Sequence, residues 1–262
     1  MRILFTACTA LLASSALAGV RVETVTRDIK TKAAEGPVQT VLVQDGKMRT
    51  DTGRAGAMII KNSTIYIVND DKKVYREMDK AQMQKMAGQA GAAMAQMQER
   101  MKNMSPEQRA MMEKMMGGQV PGGMGAPGQA DTWSSKDTGK SDTVEGRKCR
   151  LWTLSRNGKL FEELCVVPFS SLPGKEDFEK AFKEMAEAFS GMAKGLPNAD
   201  EAVKARTAIN GYPVRTRAYD ASGKLRGTEH VLTKWVEENI DASAFEVPKD
   251  YKKQSMPMMG GG

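Results

Sequence analysis

Across residues 19–77, short β-forming runs alternate with tight turns, and this punctuation limits the fold more than any other feature of the chain. Val20, Val22, Thr24 and Thr26 alternate with Arg21, Glu23 and Arg27, the period-two pattern of a half-buried strand. Further runs follow at residues 38–43, 48–51, 58–61, 64–68 and 73–78. Gln44-Asp45-Gly46-Lys47, Asn62-Ser63 and Asn69-Asp70-Asp71-Lys72 separate them. Asp, Asn and Gly accept the dihedrals that reverse a chain, so the segment predicts an antiparallel meander.

The pattern changes at Asp79. Residues 79–116 are rich in Ala, Gln, Lys, Glu and Met, mostly good helix formers. Inside this stretch Ser105-Pro106-Glu107-Gln108 reads as a helix start, with Ser105 as N-cap and Gln108 closing a capping box. The region therefore predicts one helix over 79–103 and a second over 106–116. Gly and Pro fill 8 of the 14 positions at 117–130, the composition of a mobile loop. Strands resume near Thr132 and continue to Pro168. A third helix is predicted over 174–194. Its stripe is Phe178, Phe182, Met185, Phe189 and Met192, and Gly195 and Pro197 end it. Strands at 212–219 and 224–236, a closing segment at 244–248 and a disordered Met/Gly tail at 251–262 complete the reading.

Residues 1–18 have the composition of a cleavable secretory leader. Arg2 is the positive start, an apolar stretch follows, and Ala16-Leu17-Ala18 fits the small-x-small rule for cleavage after Ala18. A periplasmic protein is the expectation. Of three cysteines, Cys149 and Cys165 would then remain, in an oxidising compartment. Between them lies a hairpin pattern around Arg156-Asn157-Gly158. A three-residue loop would place Ser155 across from Lys159 and Cys149 directly across from Cys165, whereas a two-residue loop would put the cysteines on opposite faces. The expectation is the longer loop with a Cys149–Cys165 disulfide.

Asp45-Gly46-Lys47-Met48-Arg49, Lys73-Val74-Tyr75-Arg76-Glu77-Met78 and the Met/Gln-rich segment after them resemble the secreted bacterial DUF4412 family. Gly211-Tyr212-Pro213-Val214 and Phe245-Glu246-Val247-Pro248-Lys249-Asp250-Tyr251 are similar to its C-terminal pattern. The resemblance implies an open half-barrel like that of the lipoprotein carriers LolA and LolB, and it implies no catalytic residues. Combined with the residue patterns, the expected fold is α+β: one domain over 19–250, with a curved antiparallel sheet of about eight to eleven strands. Three inserted helices would cover its concave face.

The methionines are the strongest anomaly. Twelve of twenty fall between Met78 and Met124. Three uses compete. Thioether pairs one turn apart, Met83/Met86 and the Met111, Met112, Met115, Met116 cluster, suit a soft cation such as Cu(I). A methionine surface also moulds itself to varied apolar partners. The third use is plain packing, with Met83, Met86, Met94, Met97 and Met101 as a buried stripe. The candidate ligand residues are Met94, Met97, Met101, Phe182, Met185 and Phe189, closing an apolar cavity that a ligand reaches by displacing a helix.

Net charge is +7, or +6 once Arg2 leaves with the leader. An anionic membrane surface is a conceivable partner, nucleic acid is not expected, and no cofactor is expected. His230 is the sole histidine, which argues against an imidazole-based metal site. Glu162-Glu163 and Glu237-Glu238 are adjacent, so on strands they diverge and cannot act as a catalytic pair. The leading expectation is non-catalytic binding of an apolar or lipid-like ligand, or of a lipidated partner. The alternative is a Met-rich Cu(I) buffer.

Overall fold

Four hairpins of the computed structural model turn on two residues that both hold positive φ: Asp45-Gly46, Asn62-Ser63, Glu145-Gly146 and Asn157-Gly158. Turns of this hand match the right-handed twist of the strands they join, which is why Asp, Asn and Gly recur there. The structure describes residues 19–51, 56–102, 105, 108, 131–193 and 199–255. The predicted leader, the body of the predicted 106–116 helix, the Gly/Pro-rich 117–130 segment and the last seven residues lie outside the described residues. Ser105 and Gln108 are described, and they form the reciprocal capping box read from the sequence.

The elements in chain order are β1 (Gly19–Asp28), β2 (Gln39–Gln44), β3 (Lys47–Asp51), β4 (Gly56–Lys61), β5 (Thr64–Asn69) and β6 (Val74–Met78), followed by α1 (Lys80–Lys102). Next come β7 (Trp133–Val144), β8 (Arg147–Arg156), β9 (Lys159–Val167), α2 (Lys175–Ala193), α3 (Ala199–Thr207), β10 (Tyr212–Tyr219), β11 (Leu225–Glu238) and β12 (Lys252–Lys253). All strands join one open sheet in the order β12-β6-β5-β4-β3-β2-β1-β11-β10-β9-β8-β7.

Each of β1 to β11 contributes to one apolar cluster, from Met78 of β6 to Val144 of β7, together with Met83 of α1 and Phe178, Ala181 and Ala188 of α2. Eleven strands laid flat would span roughly 50 Å, far wider than one helix can cover. The sheet is therefore curved, with α2 seated on its inner face and α1 packed against α2. On the outer face, Leu42, Ala57, Ile59 and Val68 are covered by Ile240 and Phe245 of the C-terminal segment.

Four expectations need correction. Among the described residues the sheet has twelve strands, not eight to eleven, and it is not wholly antiparallel, because β12 pairs with β6 in parallel. That pairing uses residues assigned to the disordered tail. Tyr251 Oη donates to Asp70 Oδ1 at 2.9 Å and anchors the segment. The helix α3, over Ala199–Thr207, is not among the helices read from the sequence. It is short and weakly patterned, and it lies over the outer face, where Arg206 pairs with Glu162 and neighbouring Ile209 packs on Leu164 and Val166.

The disulfide hairpin is the fourth. Cys149 and Cys165 are bonded, but the loop has two residues, with Arg156 across from Lys159. A bulge between Leu154 and Ser155 inserts one extra residue, Phe161, into β9 and puts Leu151 across from Cys165. The extra residue restores the parity that a two-residue loop would break. Both cysteines thus face inward, linked diagonally instead of directly across.

Candidate functional site

Gly174 begins the helix that matters most. Its φ is 67°, and a Cβ there would come within 2.0 Å of Val20 Cγ2, so glycine alone lets the chain turn so close to β1. Glu176 and Asp177 occupy the first turn of α2, where the helix dipole favours acids. One turn in, Phe178 is 2% exposed. Its ring stacks on Trp235 of β11 with centroids 4.5 Å apart and meets Tyr212 of β10 edge-on at 6.0 Å. Trp235 Nε1 donates to the Pro173 carbonyl at 2.9 Å, tying the sheet to the segment that leads into α2. Burial pushes the Tyr212 hydroxyl up to about 12, against the opposing pull of its hydrogen bond with Thr24.

Ala181 and Ala188 continue the buried face and let the helix sit close to the strands. Two α2 carboxylates hold it there. Asp177 Oδ1 accepts from the Asp45 amide at 3.2 Å, and Glu184 Oε2 accepts from the Ser63 amide at 2.8 Å. Both amides belong to hairpin turns, so the sheet's own reversals act as latches for the helix. Under the expected helical roof, α2 seats Phe178, Ala181 and Ala188 against the strands.

The structure places the proposed ligand residues unequally. Phe182 is 38% exposed and rests edge-on against Phe169, with centroids 6.2 Å apart. Met185 is half-buried against the core. The side chains of Met94, Met97, Met101 and Phe189 lie outside the described part of the structure, as do Met111, Met112, Met115 and Met116. Of the thioether pair on α1, Met83 is fully buried and Met86 packs against the same cluster, so both serve packing. His230 is exposed, with Nδ1 3.0 Å from Thr26 Oγ1. Glu162 and Glu163 diverge as expected, toward Arg206 outside and Arg217 within.

Sequence reading missed a charged layer on the inner face. Residues directly across an antiparallel ladder share a face, and the ladder runs Arg27–Glu229–Arg217–Glu163 over β1, β11, β10 and β9. Arg215 stands across from Cys165, on the disulfide's face. The Glu229 side chain is fully buried. It accepts from Arg217 Nε at 2.8 Å, Arg27 Nε at 2.9 Å and Lys32 Nζ at 3.0 Å. Burial pushes its carboxyl up, but the hydrogen bonds from Lys32, Arg217 and Arg27 outweigh it and hold the group down at about 2. Arg215 and Arg217 also reach Glu163, and Arg215 reaches Asp142, so the layer is internally neutralised. The Arg215/Arg217 spacing was visible in the sequence, but which face it occupied depended on the register.

Two cavities of about 320 and 330 Å³ open beside the disulfide and share Lys148. Ser141, Cys149 and Arg150 help line the first. Arg147, Val167, Leu172, Pro173 and Trp235 surround the second, so the indole on which Phe178 stacks also lines this cavity. Among the described residues, groups of three or more His, Cys, Asp or Glu placed to hold a metal ion are absent. Among them, too, no helix is long and apolar enough to cross a membrane.

In comparison with known proteins, no curated protein matches the chain in sequence. Among solved structures, an uncharacterized conserved protein from Thermus thermophilus is similar at a TM-score of 0.42 and 8% identity, over 90% of this chain and 89% of that one. The family model described as "Domain of unknown function (DUF4412)" matches residues 81–251, which take in nearly all of α1 and then β7 to β11 with α2 and α3, and the chain belongs to that family.

Proposed function

We propose that the protein is a non-catalytic carrier or binder of an apolar, lipid-like ligand or a lipidated partner. In this reading it acts in the periplasm after secretion, on a half-barrel of the LolA and LolB kind. The observation that supports the reading is the seating of α2. One amphipathic helix, fastened by two carboxylate latches and led in by a left-handed glycine, covers an inner face built from Val22, Val43, Ile60, Ile65 and Trp235. Burying a side chain such as Phe178 is worth about 1.5–3 kcal/mol. An acyl chain occupying the same surface would repay part of the cost of lifting the helix, and its differential affinity for the lifted state would set how far the exchange goes.

The test is uptake of fatty acid or phospholipid by delipidated protein, read by native mass spectrometry. It is repeated on a Ser63→Cys/Glu184→Cys variant whose new disulfide fastens α2 to the β4–β5 turn. Uptake by the free protein and by each single variant, with little by the tethered double variant, is the expected result. If the delipidated protein takes up neither ligand, or the tethered form takes up as much as the free one, the reading is wrong.

A further inference from the structure

The two cavities beside the disulfide differ from the rest of the inner face in their charge balance. Arg27, Lys32, Arg215 and Arg217 all meet carboxylates. Arg150 pairs with Asp137 at 3.0 Å. Among the described residues, Arg147 and Lys148 meet none: Arg147 reaches only the Glu145 carbonyl, at 3.5 Å. These two residues line the 330 Å³ cavity, and the rest of its wall is Val167, Leu172, Pro173 and Trp235 with the one polar residue Ser171. An apolar slot with unneutralised positive charge at its edge is complementary to a chain with an anionic head. Its volume is at the small end for ligand sites, which suits one hydrocarbon chain and not two.

We propose that this cavity takes a single-chain amphiphile with a carboxylate head, a fatty acid. Its head pairs with Arg147, which shares the inward face of Cys149, while Lys148 adds positive charge from the other side of β8, and its chain runs over Trp235. The position also supplies a route to the trough. Trp235 carries Phe178 on its ring and holds Pro173 through Nε1, so a chain sliding over the indole presses on the helix where the connection from β9 turns into α2. This inference rests on the proposed function and specifies its ligand class and point of access.

The test is isothermal titration of the full chain with dodecanoate, dodecyltrimethylammonium and dodecanol, each below its aggregation concentration. The same titrations are run on an Arg147→Gln/Lys148→Gln variant. The expected result is dodecanoate binding about tenfold tighter than the ammonium of equal chain length. The double variant should lose about five- to tenfold for dodecanoate and nothing for dodecanol, in line with two partly exposed ion pairs. Added salt should weaken dodecanoate binding to wild-type protein. Lys148→Gln alone, at an exposed side chain, keeps the test available if the double variant does not fold. Equal affinity for both charged amphiphiles, or dodecanoate affinity unchanged in the variants, overturns the inference while leaving apolar binding intact. If none of the three amphiphiles binds, the proposed function falls with it.

Discussion

Arg217 and Glu229 face each other across β10 and β11, with Nε donating to Oε2 at 2.8 Å, and the glutamate, which also binds Arg27 and Lys32, has no exposed side-chain surface. A buried carboxylate with three cationic donors is stabilised only as an ion. Replacing it with Gln leaves those donors under-paired, which should cost about 3–5 kcal/mol. The pH dependence has a definite sign. Glu229 titrates at about 2 in the folded protein against an ordinary value of 4.5. Its contribution is therefore fully present above about pH 4.5 and is lost as pH falls toward 2. Urea denaturation across that window should show wild-type stability dropping by on the order of 3 kcal/mol, with a flatter profile for Glu229→Gln. Parallel profiles would mean the network does not hold the carboxylate ionised.

The disulfide spans 16 residues of sequence and joins β8 to β9 just beside the cavities. Closing a loop of that size is worth about 3 kcal/mol in the chain-entropy account. For a domain of this length, each kcal/mol moves Tm by about 2–4 °C. Calorimetry of a Cys149→Ala/Cys165→Ala variant should show Tm lowered by roughly 6–12 °C, with wild-type protein under reductant shifted in the same direction. A loss below about 2 °C would show that the bulged hairpin holds its register unaided.

That hairpin also shows where sequence reading reaches its limit. The pairing of Cys149 with Cys165 rested on a three-residue loop that the structure does not have, and it holds only because the extra residue Phe161 compensates for the shorter turn. The loop length could not be fixed, since the bulge at Phe161 becomes visible only once β9 is seated against both β8 and β10. The meander and the Phe178 stripe were legible because their patterns are local, written in the spacing of neighbouring residues. α3 was not, because nine residues with a weak apolar face owe their helix to Ala205, the neighbouring Ile209 and the Arg206–Glu162 pair, all of which depend on what lies beneath. The Glu229 layer was hidden most thoroughly. Arg27, Glu163, Arg217 and Glu229 lie far apart in sequence and read as solvated strand residues until four strands align them.

The latches on α2 predict an effect on dynamics. Glu184 Oε2 accepts from both the amide and the hydroxyl of Ser63, at 2.8 and 3.2 Å, and Asp177 accepts from the Asp45 amide. An Asp177→Ala/Glu184→Ala variant leaves those turn amides to solvent and should cost about 1–2 kcal/mol. The loss is concentrated on the helix, not the sheet. Hydrogen exchange should therefore quicken about tenfold in the α2 amides with little change in β4 or β11. Uniform acceleration across all three would show that α2 does not open as a separate unit.

Phe178 and Phe182 sit one turn apart on α2, with ring centroids separated by 6.0 Å, yet they face opposite demands. Phe178 is 2% exposed and packs on Trp235, so Phe178→Ala should cost about 3–5 kcal/mol through the cavity it leaves. Phe182 is 38% exposed, and an aromatic ring in that setting adds little to stability. Phe182→Ala should change stability by no more than about 0.5–1 kcal/mol. If α2 is the element that acyl chains displace and then lie against, the same substitution should weaken fatty-acid binding several-fold. Denaturation and titration measured on the two variants separate the two effects, on stability and on binding. A Phe182→Ala protein with wild-type affinity would restrict the ligand contact to the Trp235 side of the helix.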